Sequence, residues 1–214
     1  MASREFINST DIAASVRHLP PAWIARSRLL IEAYALAAAA HGEQRRPSDG
    51  RYFLEHVVEV AELLHDAEFD DELVAVGLLH DTVERGTLTE EDLRSEMGAS
   101  ISSLVMTLSE DPMIASFVRR KAGLRRQVES GGRLAVTVYA SDKLSDIRGL
   151  RRGIGIYGDA LEERLGTSVA GMTDHYRESV EMVESVRPGS VFLPDLRREL
   201  RELDDTLRRE TSGG

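Results

Sequence analysis

Four side chains suited to metal binding stand out in this chain of 214 residues. His80 and Asp81 are adjacent at the end of an apolar run, while His56 and Asp142 lie in two other segments with helical spacing. Two imidazoles and two carboxylates form a mixed nitrogen and oxygen set, which suits Mn²⁺, Fe²⁺, Co²⁺ or Zn²⁺ better than Mg²⁺ or Ca²⁺. Because side chains from several helices can converge in the core of a bundle, we predict one metal centre formed by these four.

A second His-Asp dipeptide provides an internal comparison. His65 and Asp66 lie in a polar, acidic turn, whereas His80 and Asp81 follow residues 73–79, which are almost wholly apolar. Such a run is typical of a helix buried on all sides, so the polar pair at its end would face a largely apolar surrounding. We therefore predict that His80 and Asp81, and not the other pair, bind the metal.

Composition limits the classes of protein to which the chain can belong. It has no cysteine, which excludes disulfides, thiolate metal ligands and a cysteine nucleophile and is compatible with the cytoplasm, the expected location. Its formal charge of -10 argues against binding to nucleic acid or to an anionic membrane. The sequence offers neither a leader peptide nor a membrane span, so we expect a soluble protein.

The elements that must position these ligands are predicted to be helices, because periodic apolar positions recur along the whole chain. We expect an all-α helical bundle with no sheet. Thr89 and Asp92 predict a capping box at the start of one helix, and Asp142 and Asp146 share one helix face. The expected organisation is a lead-in at 1–22, a core at 23–152, C-terminal helices that pack on the core at 153–210 and a disordered tail at 211–214. The expected helices include one at 154–186.

Four segments give the core a recognisable pattern. They are Ala-His-Gly-Glu-Gln-Arg-Arg from Ala40, Phe-Leu-Glu-His-Val-Val-Glu-Val-Ala from Phe53, Gly-Leu-Leu-His-Asp-Thr-Val-Glu from Gly77 and Ala-Ser-Asp-Lys-Leu-Ser-Asp-Ile-Arg-Gly-Leu from Ala140. Together they resemble the HD hydrolase domain of the RelA/SpoT alarmone enzymes, including the stand-alone small alarmone hydrolases of the metazoan SpoT-homologue type. The resemblance covers roughly residues 25–152. It implies an all-helical HD domain that binds one Mn²⁺ and removes the 3′-pyrophosphate of (p)ppGpp.

The resemblance also implies roles for individual residues. Glu84 becomes the carboxylate that activates or positions the attacking water, and Arg46 falls where the family has an arginine that contacts the base. Guanidinium groups pair bidentately with phosphate and lysine adds a point charge, so Arg120, Lys121 and Arg148 are predicted phosphate contacts. The metal ligands implied by the same motifs are His56, His80, Asp81 and Asp142.

Two positions depart from the family pattern. Arg85 stands where His-Asp-x-x-Glu-Asp has its last aspartate, and Asp146 replaces an asparagine expected near the nucleotide's sugar. An arginine cannot act as a general base at neutral pH, although it can bind a phosphate or stabilise developing charge. We count Arg85 with Glu84 as a candidate catalytic residue and Asp146 as a substrate contact. One hypothesis is that Arg85 and Asp146 compensate for each other by pairing across the site.

Three functions follow from this pattern. The leading one is a metal-dependent phosphohydrolase that removes pyrophosphate from (p)ppGpp or a (p)ppApp-type nucleotide. The second is a phosphomonoesterase that removes one phosphate, for instance from NADPH. The third is a catalytically silent module that binds alarmone, which Arg85 favours. In each case the partner is a small phosphorylated nucleotide. A homodimer formed through the C-terminal helices is an option that no motif supports.

Overall fold

Helices make up the regular structure of the part of the chain that is described. The computed structural model describes residues 19–85 and 88–213, with side chains as far as residue 210. Most of the predicted lead-in, and Gly214 of the predicted tail, lie outside those residues. Within them there is no strand beyond one isolated bridge, which confirms the all-α prediction. The helices are α1 Arg28–His41, α2 Phe53–Asp66, α3 Asp71–Leu79, α4 Glu90–Leu108, α5 Phe117–Ser130, α6 Gly132–Tyr157, α7 Leu161–Leu165, α8 Val169–Val186 and α9 Leu193–Gly213.

Helix α3 is the most deeply buried element, and it packs against α1 and α2. Asp70 caps it by accepting a hydrogen bond from the Leu73 backbone N–H at 2.9 Å, and all of residues 73–79 are buried. Gly77 lets α2 approach closely, because a Cβ at this position would lie 2.8 Å from Leu64 Cδ1. The helix then ends at His80. The buried helix predicted at 73–79 is confirmed, and it delivers His80 beside α2.

Helix α6 is the long central helix, with most of its side chains buried. The loop before α2 lies directly on it, because a Cβ at Gly153 would be 1.8 Å from the Ser48 carbonyl oxygen. At Gly149 a Cβ would be 2.7 Å from the Arg46 guanidinium. Two glycines on one helix therefore hold the loop that carries Arg46 against the face that carries Asp142.

The C-terminal part differs from the prediction in its helix boundaries. The single helix expected at 154–186 is wrong, because α6 continues to Tyr157 and α8 starts only at Val169. Between α6 and α8 the chain leaves the helical conformation at Gly158 and Gly166, whose φ values are 50° and 65°. The expected boundary at residue 152 thus falls inside α6, and α9 extends to Gly213, through residues expected in a tail.

The capping box predicted from the sequence is present at the start of α4. Thr89 and Asp92 form the reciprocal hydrogen bonds of a capping box at the start of α4. The helix is interrupted at Gly98, where φ is 84°.

No helix within residues 19–85 and 88–213 combines the length and apolar character needed to cross a membrane.

His175 is a buried histidine on α8, outside the predicted site. Its Nδ1 accepts a hydrogen bond from Arg125 at 2.7 Å. Burial, reinforced by the nearby charges of Lys143, Lys121 and Arg125, holds the pKa of His175 far below its ordinary value. The folded protein therefore keeps His175 neutral at pH values where the unfolded chain would protonate it.

This difference in pKa predicts an acid-sensitive stability. The unfolded state takes up a proton at His175 below about pH 6.5 and the folded state does not, so stability is full above that pH and declines below it. In His175→Gln we expect the slope of unfolding free energy against pH, between pH 6.5 and 5, to decrease by about 1.4 kcal/mol per pH unit at most. Urea unfolding at several pH values measures the slope. The control is His65→Gln on α2, in which this slope should stay close to that of the unmodified protein. Equal slopes in His175→Gln and the unmodified protein would contradict the prediction.

Candidate metal centre

The four predicted metal ligands meet where α2, the end of α3 and α6 come together. Nε2 of His56 lies 3.3 Å from Oδ1 of Asp142, and Nε2 of His80 lies 3.5 Å from the same oxygen. Oδ2 of Asp81 is 3.8 Å and 3.6 Å from these two nitrogens. Ligand atoms bound to one ion at about 2.1 Å are separated by roughly 3 to 3.5 Å in a tetrahedral site. The spacing in the structure is close to that of a single coordination shell.

The chemistry of the cluster also fits a divalent metal. Potential ligand atoms of His56, His80 and Asp142 all lie within 4.8 Å of one another, and the three residues are buried. The Nδ1 atom of His80 lies 2.8 Å from the Gly77 carbonyl oxygen, so this nitrogen carries the proton that it donates. Nε2 of His80 is buried without a hydrogen-bond partner. Nε2 of His80 thus faces the carboxylates, where it can bind a metal once its proton is lost.

Electrostatics make this cluster a strong cation site. Burial alone would lower the pKa of His80, but the charges of Asp81 and Asp142 outweigh it and raise the pKa to about 9. Burial alone would raise the pKa of Asp142, yet Lys143 and the two imidazoles hold it well below its usual range. Because a metal ligand must be deprotonated, a divalent ion and a proton compete for the same nitrogen.

A cavity of about 530 Å³ opens directly beside the cluster. Its size is in the range of small-molecule sites, and its walls carry charges of both signs. Asp81 and Asp142 contribute to its lining. The other charged lining residues are Arg46, Glu84, Arg85, Glu110, Arg120, Lys121, Lys143 and Asp146.

Glu84 lies on the wall of this cavity, one turn after Asp81. Its Oε2 accepts a hydrogen bond from the Glu110 backbone N–H at 3.1 Å, which fixes the orientation of the carboxyl group. Burial raises the pKa of Glu84, and the negative charges of Asp81 and Glu110 raise it further. The carboxylate is therefore a stronger base than an exposed glutamate.

Arg85 and Asp146 both lie at the cavity but do not pair with each other, so the proposed compensating ion pair is wrong. Nε of Arg85 is 3.7 Å from Oδ2 of Asp81, and its guanidinium lies over the Phe53 ring at 5.2 Å. Asp146 has other partners, with Oδ1 3.0 Å from Arg46 and Oδ2 2.6 Å from Lys143. Arg46 lies in the loop before α2, and Lys143 lies on α6 with Asp146. The side chain of Arg85 is partly exposed.

The three predicted phosphate contacts have different positions. Arg120 and Lys121 line the cavity, where both pair with the Glu110 carboxylate. Arg148 does not reach the cavity, because it lies six residues beyond Asp142 and therefore on another face of α6. There it donates to Glu59 at 3.0 Å and to Glu199 at 3.1 Å. The prediction for Arg148 is corrected on this ground.

Two residues of the site were not predicted from the sequence. Lys143 is only 4% exposed, and its Nζ lies 2.9 Å from Oδ2 of Asp142. A lysine within the otherwise buried stretch of α6 was the available signal, since lysine is rarely buried without a partner. Glu110, which binds Arg120 and Lys121, had no such signal because acidic residues are common in loops.

Comparisons with known proteins agree with this geometry. A family model described as HD domain matches residues 33–152. The GTP pyrophosphokinase rsh of Brucella ovis is 31% identical over 177 residues, which are 82% of this chain but 22% of that protein. The zebrafish (Danio rerio) guanosine-3′,5′-bis(diphosphate) 3′-pyrophosphohydrolase MESH1 is 34% identical over 130 residues, covering 58% of this chain and 70% of that protein. The chain thus spans about a fifth of the length of the Brucella relatives.

Solved structures share the same fold. A metazoan orthologue of SpoT, described as hydrolysing ppGpp, superposes with a TM-score of 0.67 at 20% identity and covers 82% of this chain and 96% of its own. A Listeria monocytogenes protein gives a TM-score of 0.62 at 23% identity, covering 72% and 97%. The family model matches more than half of the chain, and the four motifs and the metal cluster lie in the matching region or at its edge. The chain therefore belongs to the HD domain family, and its likeness to the SpoT-type hydrolases is confirmed.

Proposed function

We propose that this chain is a metal-dependent phosphohydrolase that removes the 3′-pyrophosphate from (p)ppGpp or a related (p)ppApp-type nucleotide. The observation that carries the proposal is the convergence of His56, His80 and Asp142 beside a cavity whose lining includes arginine and lysine side chains. The name of the MESH1 relatives supports the substrate class and the bond that is cleaved. Mn²⁺ is the proposed ion, because the resemblance of the motifs to the SpoT-type hydrolases implies it.

The metal would be held by both imidazoles and both carboxylates of the cluster. A divalent ion bound there supplies positive charge to the phosphate oxygens and makes a nearby water more acidic. The protein's own contribution is to keep the ligands ordered. The Gly77 carbonyl orients His80, while Lys143 holds Asp142 and balances part of its charge.

Glu84 is the proposed general base. It lines the cavity, its carboxyl group is held by the Glu110 backbone N–H, and its raised pKa is closer to neutral pH than that of an exposed glutamate. A base is most effective when its pKa approaches the working pH. With Glu84 taking the proton of the attacking water, no covalent nucleophile is needed.

Substrate phosphates are proposed to bind on the cationic side of the cavity. Arg120 and Lys121 already bind one anionic group, the carboxylate of Glu110, and a phosphate can use the same donors. Arg85 adds a partly exposed guanidinium near Asp81, where it can bind a phosphate but cannot accept a proton. Arg46 and Asp146, which pair with each other and also line the cavity, are proposed to contact the base and the sugar.

The function is tested by identifying the products. The purified protein is incubated with Mn²⁺ and ppGpp, pppGpp, ppApp or NADPH, and released pyrophosphate and orthophosphate are measured separately. We expect pyrophosphate from a guanosine or adenosine substrate, and its loss in His80→Ala or after chelation of the metal. The matched control is His65→Ala, which changes the other His-Asp pair and should retain activity.

Other outcomes of that experiment would contradict the proposal. Orthophosphate released from NADPH alone would identify a phosphomonoesterase instead. Mn²⁺ binding without turnover of any of the four nucleotides would favour a catalytically silent binding module, consistent with an arginine at position 85.

The role of Glu84 gives a second prediction. Glu84→Gln keeps the size and the oxygen that accepts from Glu110 but removes the base, so kcat should fall by about 100- to 10,000-fold while Mn²⁺ affinity is little changed. Steady-state kinetics and Mn²⁺ titration measure the two quantities. Glu129→Gln, at an exposed position on α5, is the control. A Glu84→Gln variant with unaltered kcat would exclude Glu84 as the base.

A further inference from the structure

His56 is connected through its second ring nitrogen to a chain of polar side chains that no role assigned above uses. Its Nδ1 lies 2.9 Å from Oγ of Ser145, and that hydroxyl donates to Oε2 of Glu59 at 2.8 Å. His56 and Ser145 are both buried. The sequence alone could not reveal this contact, because Ser145 is 89 residues from His56 along the chain.

The direction of these hydrogen bonds follows from the number of protons available. A serine hydroxyl has one proton, and a carboxylate can only accept. Because Ser145 donates its proton to Glu59, its oxygen must accept the hydrogen bond from His56. The proton of the neutral imidazole therefore resides on Nδ1, and Nε2 is left with its lone pair facing Asp142 at 3.3 Å.

The carboxylate at the end of this chain is itself held in place. Nη1 of Arg148 donates to Oε1 of Glu59 at 3.0 Å, and Nε of Arg148 donates to Glu199 on α9 at 3.1 Å. This arrangement leaves Oε2 of Glu59 for the hydroxyl of Ser145. The same arrangement gives Arg148 a role away from the cavity beside the metal ligands, which it does not line.

We propose that Ser145 and Glu59 are positioning residues of the metal centre, which hold His56 in the one tautomer that can bind a metal through Nε2. The inference rests on the proposed metal site. Hydrogen-bond partners of metal-bound histidines commonly change metal affinity about 10- to 100-fold when they are removed.

The test compares the Mn²⁺ affinities of three variants of the full chain. Each is titrated with Mn²⁺, and electron paramagnetic resonance detects the free and bound ion. Ser145→Ala should weaken Mn²⁺ binding by about 10- to 100-fold, and Ser145→Thr, which keeps the hydroxyl, should restore most of the affinity. The matched control is Ser141→Ala, one turn earlier on α6. Ser141 is also buried, but its hydroxyl donates only to the Val138 carbonyl oxygen, so its removal should leave Mn²⁺ affinity unchanged.

A second readout reports the tautomer without any metal. In ¹⁵N NMR spectra of metal-free protein, His56 should carry its proton on Nδ1, and Ser145→Ala should increase the fraction of the Nε2–H form. Unchanged Mn²⁺ affinity and tautomer in Ser145→Ala would overturn the inference. Equal losses in Ser145→Ala and Ser141→Ala would also overturn it, because they would indicate a general packing defect. Failure of the unmodified protein to bind Mn²⁺ would instead reject the metal site itself, and the inference with it.

Discussion

The close packing of α2 on α3 sets the distance between the two histidines on which the metal centre depends. At Gly77 there is no room for a side chain, because a Cβ would lie 2.8 Å from Leu64 Cδ1 and 3.1 Å from the Ala61 Cα. One turn later the rings of His56 and His80 are 5.3 Å apart, centre to centre. Any larger residue at position 77 would separate the helices and thereby the two ring nitrogens. The packing of the apolar helix α3 thus places His80, at its end, beside His56.

Charge balance is the second constraint on the site. Two buried carboxylates next to each other would be unstable without cations; Lys143 and Arg85 supply positive charge there, and the proposed divalent ion would add to it. Beyond the cluster, Arg120 and Lys121 give one wall of the cavity a positive character although the whole chain is strongly acidic. The proposed nucleotide would meet these cationic donors locally, while extended polyanions meet an unfavourable field.

The sequence predicted those parts of the molecule that depend on local pattern. The apolar run before His80, the capping box at Thr89 and the motif set around Asp142 were each readable from neighbouring residues. Features that depend on distant contacts were not. Asp146 pairs with Arg46 from a loop a hundred residues away, so its supposed pairing with Arg85 could not be judged from the sequence. Arg148 lies six residues beyond Asp142 and therefore on another face of the helix, away from the cavity. The continuation of α6 to Tyr157 depends on its packing against neighbouring helices.

The most direct test of this account is a crystal structure of the protein with Mn²⁺, with anomalous diffraction used to locate the ion. The account predicts one strong peak within about 2.0 to 2.4 Å of Nε2 of His56, Nε2 of His80 and a carboxylate oxygen of Asp142, with Asp81 as a further ligand. A peak elsewhere in the protein, or no peak at a saturating Mn²⁺ concentration, would contradict the claim that these helices converge to form a metal centre.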